Sequence, residues 1–335
     1  MSPFLMAAQP AGRSDRVGVV IRKMRVDDIV DVKRADLISW TDLFERRYGD
    51  EVKLSPRTDE NILSYLHSDP DGAFVASDEY AGVIGLVFSH VWGATGWTGP
   101  LSVLPSYQAR GLGKDLLRHS LNYLEEVGCV DIGLETRPEN VQNLGMYLKV
   151  GLRPESFVLV LGKKIEADEL QEEPAGEVAV ERFSESSIQD KLRSELRRIS
   201  GALRLGLDYT KDVDLTVEFS LGDAIVATSK GKVAGFCVVH TKPRRANMPT
   251  AAIRMLAIDP AAKDEVIEPL LVSAELMAAD AGCPEISVPV PAPSRRALDI
   301  SFSRGYAVMD TFERLMWIGS SGVNERTYNL CTWSG

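Results

Sequence analysis

The chain has 335 residues, a formal net charge of −10 and four cysteines, with 26% charged and 44% hydrophobic residues. This is ordinary globular composition, long enough for two domains of about 150 residues, and no apolar run approaches the roughly 20 residues of a membrane-spanning helix. The acidic balance argues against non-specific nucleic-acid binding, which depends on Lys and Arg neutralising phosphates; it suits a cationic amine ligand, and equally plain solubility.

Residues 1–16 carry only a short apolar patch around Phe4 and Leu5. They lack a charged start and an apolar core of signal-peptide length, so a disordered leader is expected. A strand is expected at 18–22 and a helix at 26–37. The stretch 38–65 then gathers Trp40, Phe44, Arg46, Arg47, Tyr48 and Tyr65. These side chains could line a pocket for an apolar or aromatic molecule, or they could pack the helices against each other. Strands at 72–77 and 82–90 flank the turn residues Asp78 and Glu79, as a hairpin prefers.

The next segment, residues 103–114, is the most informative: Val-Leu-Pro-Ser-Tyr-Gln-Ala-Arg-Gly-Leu-Gly-Lys. It reads as a strand stopped by Pro105, a short loop bearing Gly111, and a helix start at Leu112. Free N–H groups and the helix dipole at such a start suit a diphosphate, and glycine leaves the backbone approachable. Two better-known phosphate motifs fail here. Gly113-Lys114 is followed by Asp115, and Gln108 stands where a triphosphate P-loop needs its first glycine. Leu116 stands where a dinucleotide fingerprint needs its third.

The helix from 112 to 127 buries Leu117, Leu121 and Leu124 on one face, and a strand follows at 130–134. Beyond it come Asn140, Tyr147 seven residues later, and Gly151-Leu152.

The loop (Gln108, Gly111, Gly113, with Val103, Pro105 and Tyr107 before it) and the downstream set (Asn140, Tyr147, Gly151-Leu152) together resemble the two signature motifs of the Gcn5-related N-acetyltransferase (GNAT) superfamily. The resemblance covers residues 17–165. It implies acetyl-CoA, or a longer acyl-CoA, as donor and a primary amine of a small molecule or protein as acceptor, with no metal. It further implies that Gln108, Arg110, Gly111, Leu112, Gly113 and Lys114 hold the diphosphate. Main chain at Leu101 and Val103 would pair with the pantetheine arm, with the Val103 N–H also able to polarise the thioester carbonyl. Asn140 would bond that arm or else cap the following helix. Tyr147 would protonate the departing thiolate, and Glu135, at the end of its strand, is a candidate base. A non-catalytic acyl-CoA sensor or interaction module is the competing reading.

The second half repeats the first. The strand at 83–90 recurs at 233–240, an offset of 150; Pro105 recurs as Pro260, Gly128 as Gly282 and Gly151 as Gly305, offsets of 154 or 155. An acidic connector at 166–176 separates a catalytic domain, 17–165, from a degenerate one, 177–335. The expected fold is α/β: two tandem acyl-CoA N-acyltransferase (GNAT) folds, each a mixed, mostly antiparallel twisted sheet flanked by helices. The offset sets Lys263, Val266 and Glu268 against Gln108, Gly111 and Gly113, and Ser294 and Ser301 against Asn140 and Tyr147. Val266 would add bulk in the cradle, Glu268 would repel phosphate and Pro269 would remove a donor. The second half is therefore expected to keep the fold and lose coenzyme A, and to cover the cleft or form a homodimer surface. The cysteines show no metal spacing. Reduced, buried thiols in a cytoplasmic protein are the expectation.

Overall fold

The structure, a computed structural model, describes residues 18–49, 53–166, 177–262, 264–323 and 329–331. The expected leader and nearly all of the expected connector lie outside these residues, as does Lys263. Among the described residues no helix is long and apolar enough to cross a membrane.

Strand β1 (Val19–Lys23) leads into helix α1 (Ile29–Tyr48), and α2 (Asp59–Ser68) follows. Helix α1 does not stop near residue 37 as its sequence pattern suggests. Trp40, Phe44 and Tyr48 continue it at spacings of four, with neighbouring ring centroids 5.9 and 5.5 Å apart. Strands β2 (Phe74–Asp78), β3 (Gly82–Trp92) and β4 (Thr95–Val103) form an antiparallel set. Helix α3 (Leu112–Glu126) packs Leu116, Leu117, Leu121 and Leu124 inward, as the leucine spacing dictates. Strand β5 (Asp131–Thr136), helix α4 (Val141–Val150) and strand β6 (Arg153–Lys164) close the first half.

The second half runs through the same series: β7 (Val178–Arg182), α5 (Gln189–Leu203), α6 (Thr210–Glu218), β8 (Gly222–Ser229), β9 (Lys232–His240), β10 (Thr250–Ile258), α7 (Ile267–Asp280), β11 (Glu285–Pro291), α8 (Arg295–Ser303) and β12 (Ala307–Ile318). A short strand, β13 (Asn329–Cys331), has no counterpart in the first series. Among the described residues the thirteen strands make one mixed, mostly antiparallel sheet in the order β1-β2-β3-β4-β5-β12-β6-β11-β10-β9-β8-β7, with β13 paired to β10.

That order contains an exchange. Strands β6 and β12 lie antiparallel at the centre, and each takes as its other neighbour the preceding strand of the opposite half: β12 pairs β5, and β6 pairs β11. Side chains tighten the junction. Trp92 Nε1 donates to Asp212, Arg245 and Arg57 share the fully buried Asp36, and Lys211 reaches Asp69 at 2.8 Å. One apolar cluster also spans both halves, with Trp92 and Trp97 against Phe183, Leu196, Tyr209 and Phe236.

Candidate active site

Strands β4 and β5 run parallel for three residue pairs only, Thr95–Trp97 against Asp131–Gly133. Beyond Trp97 they diverge, because β5 stays paired with β12 while β4 stays paired with β3. The gap is a cleft of about 930 Å³. Alternation along β4 decides which main-chain groups face it. Leu104 N–H bonds Ile84 O on β3 at 2.9 Å, so the N–H groups of Val103 and Leu101 point away from β3, into the gap. The Ser102 hydroxyl, also on the cleft wall, is buried without a hydrogen-bond partner.

At the mouth of the cleft the chain turns into α3. Gly111 is the residue before the helix, with φ +81° and ψ 0°, a left-handed conformation in which a Cβ is strained. Ala109 also has positive φ, +58°. The first helical bond of α3 runs from Asp115 N–H to Gly111 O at 3.1 Å, and no side chain caps the helix. The N–H groups of Leu112, Gly113 and Lys114 therefore have no helical acceptor and are available to an anion.

Of the expected site residues, Leu101, Val103, Gln108, Gly111, Gly113, Lys114, Glu135, Asn140 and Tyr147 all line this one cleft. Leu112 contributes backbone only, since its side chain is buried in the core. Arg110 stands outside, exposed, with its guanidinium 5.6 Å from the Tyr107 ring centroid. Gln108 is committed to the protein: its Nε2 donates to Val103 O at 2.9 Å and ties the loop to the strand end. Asn140 caps α4, accepting from Asn143 N–H at 3.1 Å, so the capping alternative holds in this structure.

Tyr147 is 6% exposed, and burial pushes its phenol up to about 12. The Glu135 carboxylate sits behind the wall rather than in the gap. Its side chain is 0% exposed and accepts from Arg314 Nη2 of β12 at 2.6 Å. The Arg314 guanidinium also lies 5.5 Å from the Trp97 ring centroid.

The far end of the cleft carries the residues singled out between 38 and 65. Trp40, Phe44, Arg46, Arg47 and Tyr48 line it; Tyr65 does not, being packed between Phe88 and His90. Arg47 pairs with Glu139 at 3.1 Å and Arg137 with Asp310 at 2.5 Å, so charge at this end is largely balanced. Trp40 Nε1 and Arg137 Nε are buried without partners. Arg314 and Asp310 escaped sequence reasoning because they belong to the other half. The available signal was the charge of Arg314 directly before the apolar run Leu315-Met316-Trp317-Ile318.

The second half shows why its version of the turn differs. Val266, the counterpart of Gly111, has φ −81° and ψ −25° and is fully buried. It does not crowd a cradle, as its bulk suggests; the left-handed turn is gone and the side chain joins the core. Glu268 is paired with Arg304 at 3.0 Å, and Ser301, in place of Tyr147, is 1% exposed.

Known proteins resemble this chain in sequence and in fold. The description "Acetyltransferase (GNAT) family" matches residues 37–152. "Acetyltransferase SG1711" of Sodalis glossinidius (strain morsitans) is 32% identical over 155 residues, covering 44% of this chain and 97% of that protein. Among solved structures, a candidate acetyltransferase of Pyrococcus horikoshii superposes with a TM-score of 0.67 at 16% identity, covering 95% of this chain and 96% of the other. A tandem GNAT protein from the clavulanic acid biosynthesis pathway gives 0.60 at 13% identity, covering 89% and 98%. At these identities the two structures speak for the fold.

Proposed function

Because the chain belongs to the GNAT family of acetyltransferases, whose chemistry is acyl transfer from an acyl-CoA, we propose that its first half moves an acetyl group from acetyl-CoA to a primary amine of a small molecule or protein. The observation that carries this reading is the row of N–H groups without helical acceptors at the start of α3, opening beside the gap-facing N–H groups of Leu101 and Val103. The residues fit the donor. Leu112, Gly113 and Lys114 offer N–H groups to the diphosphate, with Lys114 adding positive charge. Gly111 gives the turn, and Gln108 holds it against the strand.

The acceptor amine enters at the aromatic end and must be neutral to attack; a lysine-like amine, with an ordinary pKa near 10.4, gives up its proton to solvent first. The carbon–nitrogen bond forms as the carbon–sulfur bond breaks, the Val103 N–H stabilises the carbonyl oxygen as it gains charge, and the nitrogen sheds its surplus proton, which returns through solvent to the Tyr147 oxygen. Tyr147 serves the leaving sulfur. A phenol near 12 stays neutral across the working range; being a weaker acid than an ordinary thiol of about 8.5, it hydrogen-bonds the sulfur as charge builds there and passes its proton on only as it takes up the one the nitrogen sheds. Glu135 is read as a brace rather than a base, since its carboxylate is already spent on Arg314.

The decisive measurement is thiol release from acetyl-CoA across a panel of amines, with Tyr147→Phe alongside. We expect turnover to fall by about a hundredfold, the low end for a positioned acid, with coenzyme A affinity nearly unchanged. Unaltered turnover removes the acid role. Binding without turnover on any amine shifts the assignment to a sensor.

A further inference from the structure

The tail of the chain occupies, in the second half, the place that the cleft leaves open in the first. Strands β10 and β11 begin as β4 and β5 do. Thr250–Ala252 pairs with Glu285–Ser287, matching Thr95–Trp97 with Asp131–Gly133 at offsets of 155 and 154. Both pairs then diverge. The outward main-chain groups correspond too: Asp259 N–H bonds Ala234 O at 2.9 Å, as Leu104 N–H bonds Ile84 O, so Leu256 faces the gap as Leu101 does. In the second half that gap is filled. Met255, Leu256 and Ala257, counterparts of Pro100, Leu101 and Ser102, pair antiparallel with Cys331, Leu330 and Asn329.

The fit is close on every side. Asn329, Leu330 and Cys331 are 7%, 1% and 0% exposed. Leu330 enters the apolar cluster of the second half with Leu256, Val288 and Val290, and Cys331 enters the cluster spanning both halves. Asn329 Oδ1 accepts from the Tyr209 hydroxyl at 2.9 Å, and the Cys331 carbonyl accepts from Arg314 Nη2 at 3.0 Å. That guanidinium also holds Glu135, so the seated tail and the wall of the first cleft share one cation.

We propose that the second half retains the strand-binding groove of the fold as a peptide site, and that its ligand is this chain's own segment Asn329–Cys331, bound by strand addition with Leu330 as the anchor. The groove takes an extended peptide where the first half takes the arm of its thioester substrate. Only that likeness rests on the function proposed above.

The test keeps the whole chain. Residues 324–328 are replaced by the recognition sequence of a specific protease, and the folded protein is cut there. The cut tail should stay bound through gel filtration, and a labelled synthetic peptide of residues 329–335 should exchange with it saturably. Leu330→Ala should weaken retention by about tenfold or more, as loss of a buried leucine does, and should speed amide exchange at Met255–Ala257. Should Leu330→Asp also fold, its cut tail leaves and the wild-type peptide binds the emptied groove. A cut wild-type tail that leaves, or a peptide without saturable binding, overturns the proposal. Coenzyme A titration of the same samples separates the two readings. A retained tail with no coenzyme A bound sinks only the enzymatic assignment, and one coenzyme A with a free tail sinks only this one.

Discussion

Gly111 and Val266 occupy the same place in two copies of one strand–turn–helix, yet their backbones take opposite hands, φ +81° and −81°. In the first half the left-handed residue turns helix N–H groups toward an open gap. In the second the right-handed residue buries its side chain, and a strand from the tail closes the gap. The lesson is that a binding site of this kind is a deliberate omission. The fold supplies divergent strands in both copies, and among the described residues a strand fills the gap in the second copy and none fills it in the first.

The strongest way to break the comparison is to separate the halves. Without the second, β5 loses β12 and β6 loses both of its neighbours, β12 and β11, so residues 18–166 keep an unpaired edge on β5 and a wholly unpaired β6. We expect that fragment to lack cooperative unfolding and to aggregate, monitored by near-ultraviolet circular dichroism and calorimetry. A cooperative transition from the fragment would make each half self-sufficient.

Next in size is the pair that joins them. The side chains of Glu135 and Arg314 are both fully buried, and burial that would lower the Arg314 guanidinium is offset by Coulombic attraction to Glu135. Removing one partner strands the other charge. Arg314→Met should cost about 3–5 kcal/mol in denaturant unfolding, and adding Glu135→Leu should recover most of it. Glu135→Leu/Arg314→Met also decides the brace reading, because a stable double variant with normal turnover cannot have lost its base.

A smaller effect follows from trading the turn residues. Gly111→Val forces a β-branched residue into the left-handed region at a cost of about 1–2 kcal/mol and misdirects the N–H row. Coenzyme A affinity should fall by about a hundredfold by calorimetric titration, on the order of one or two charge-assisted hydrogen bonds. The reverse change, Val266→Gly, should add no second equivalent of coenzyme A and should destabilise the chain, since it empties a packed position.

The contrast also shows what a sequence exposes. The Gln108–Lys114 loop, the Asn140–Tyr147 spacing and the repeat were legible because each depends on neighbours in the chain or on a constant offset; the registers of β4–β5 and β10–β11 match it to within a residue. The strand exchange was not legible. Strands β6 and β12 have the same length and follow equivalent helices, so nothing local says which half each one joins. For the same reason Glu135 read as a candidate base: its partner Arg314 lies 179 positions away. Helix α1 ran on past residue 37 because Trp40, Phe44 and Tyr48 gain a cleft to line, a tertiary reward that helix propensity does not contain.

The smallest effect concerns the histidines that the offset of 150 also pairs. His90 and His240 lie at or near the ends of equivalent strands and line a small polar cavity between the halves, shared with Tyr65, Asp212 and Arg254. His90 Nε2 contacts Gly99 O at 2.8 Å, and His240 Nε2 contacts Thr216 Oγ1 at 3.0 Å. Burial is the main cause holding both imidazoles neutral. His90 is lowered to about 4 despite the nearby Asp69 carboxylate, and His240 is held well below its ordinary value with Arg254 and Arg244 adding to the effect. A histidine depressed in the folded state contributes fully above its unfolded pKa of about 6.5 and loses that contribution as the pH falls toward its folded value. Each should therefore lower stability as the pH falls below about 6.5, before most carboxylates titrate. Thermal midpoints between pH 7 and 5 should decline accordingly, and His90→Gln and His240→Gln should each remove about half of the slope. If one substitution flattens the profile and the other leaves it unchanged, the two sites have parted company in their electrostatics as they have in their turns.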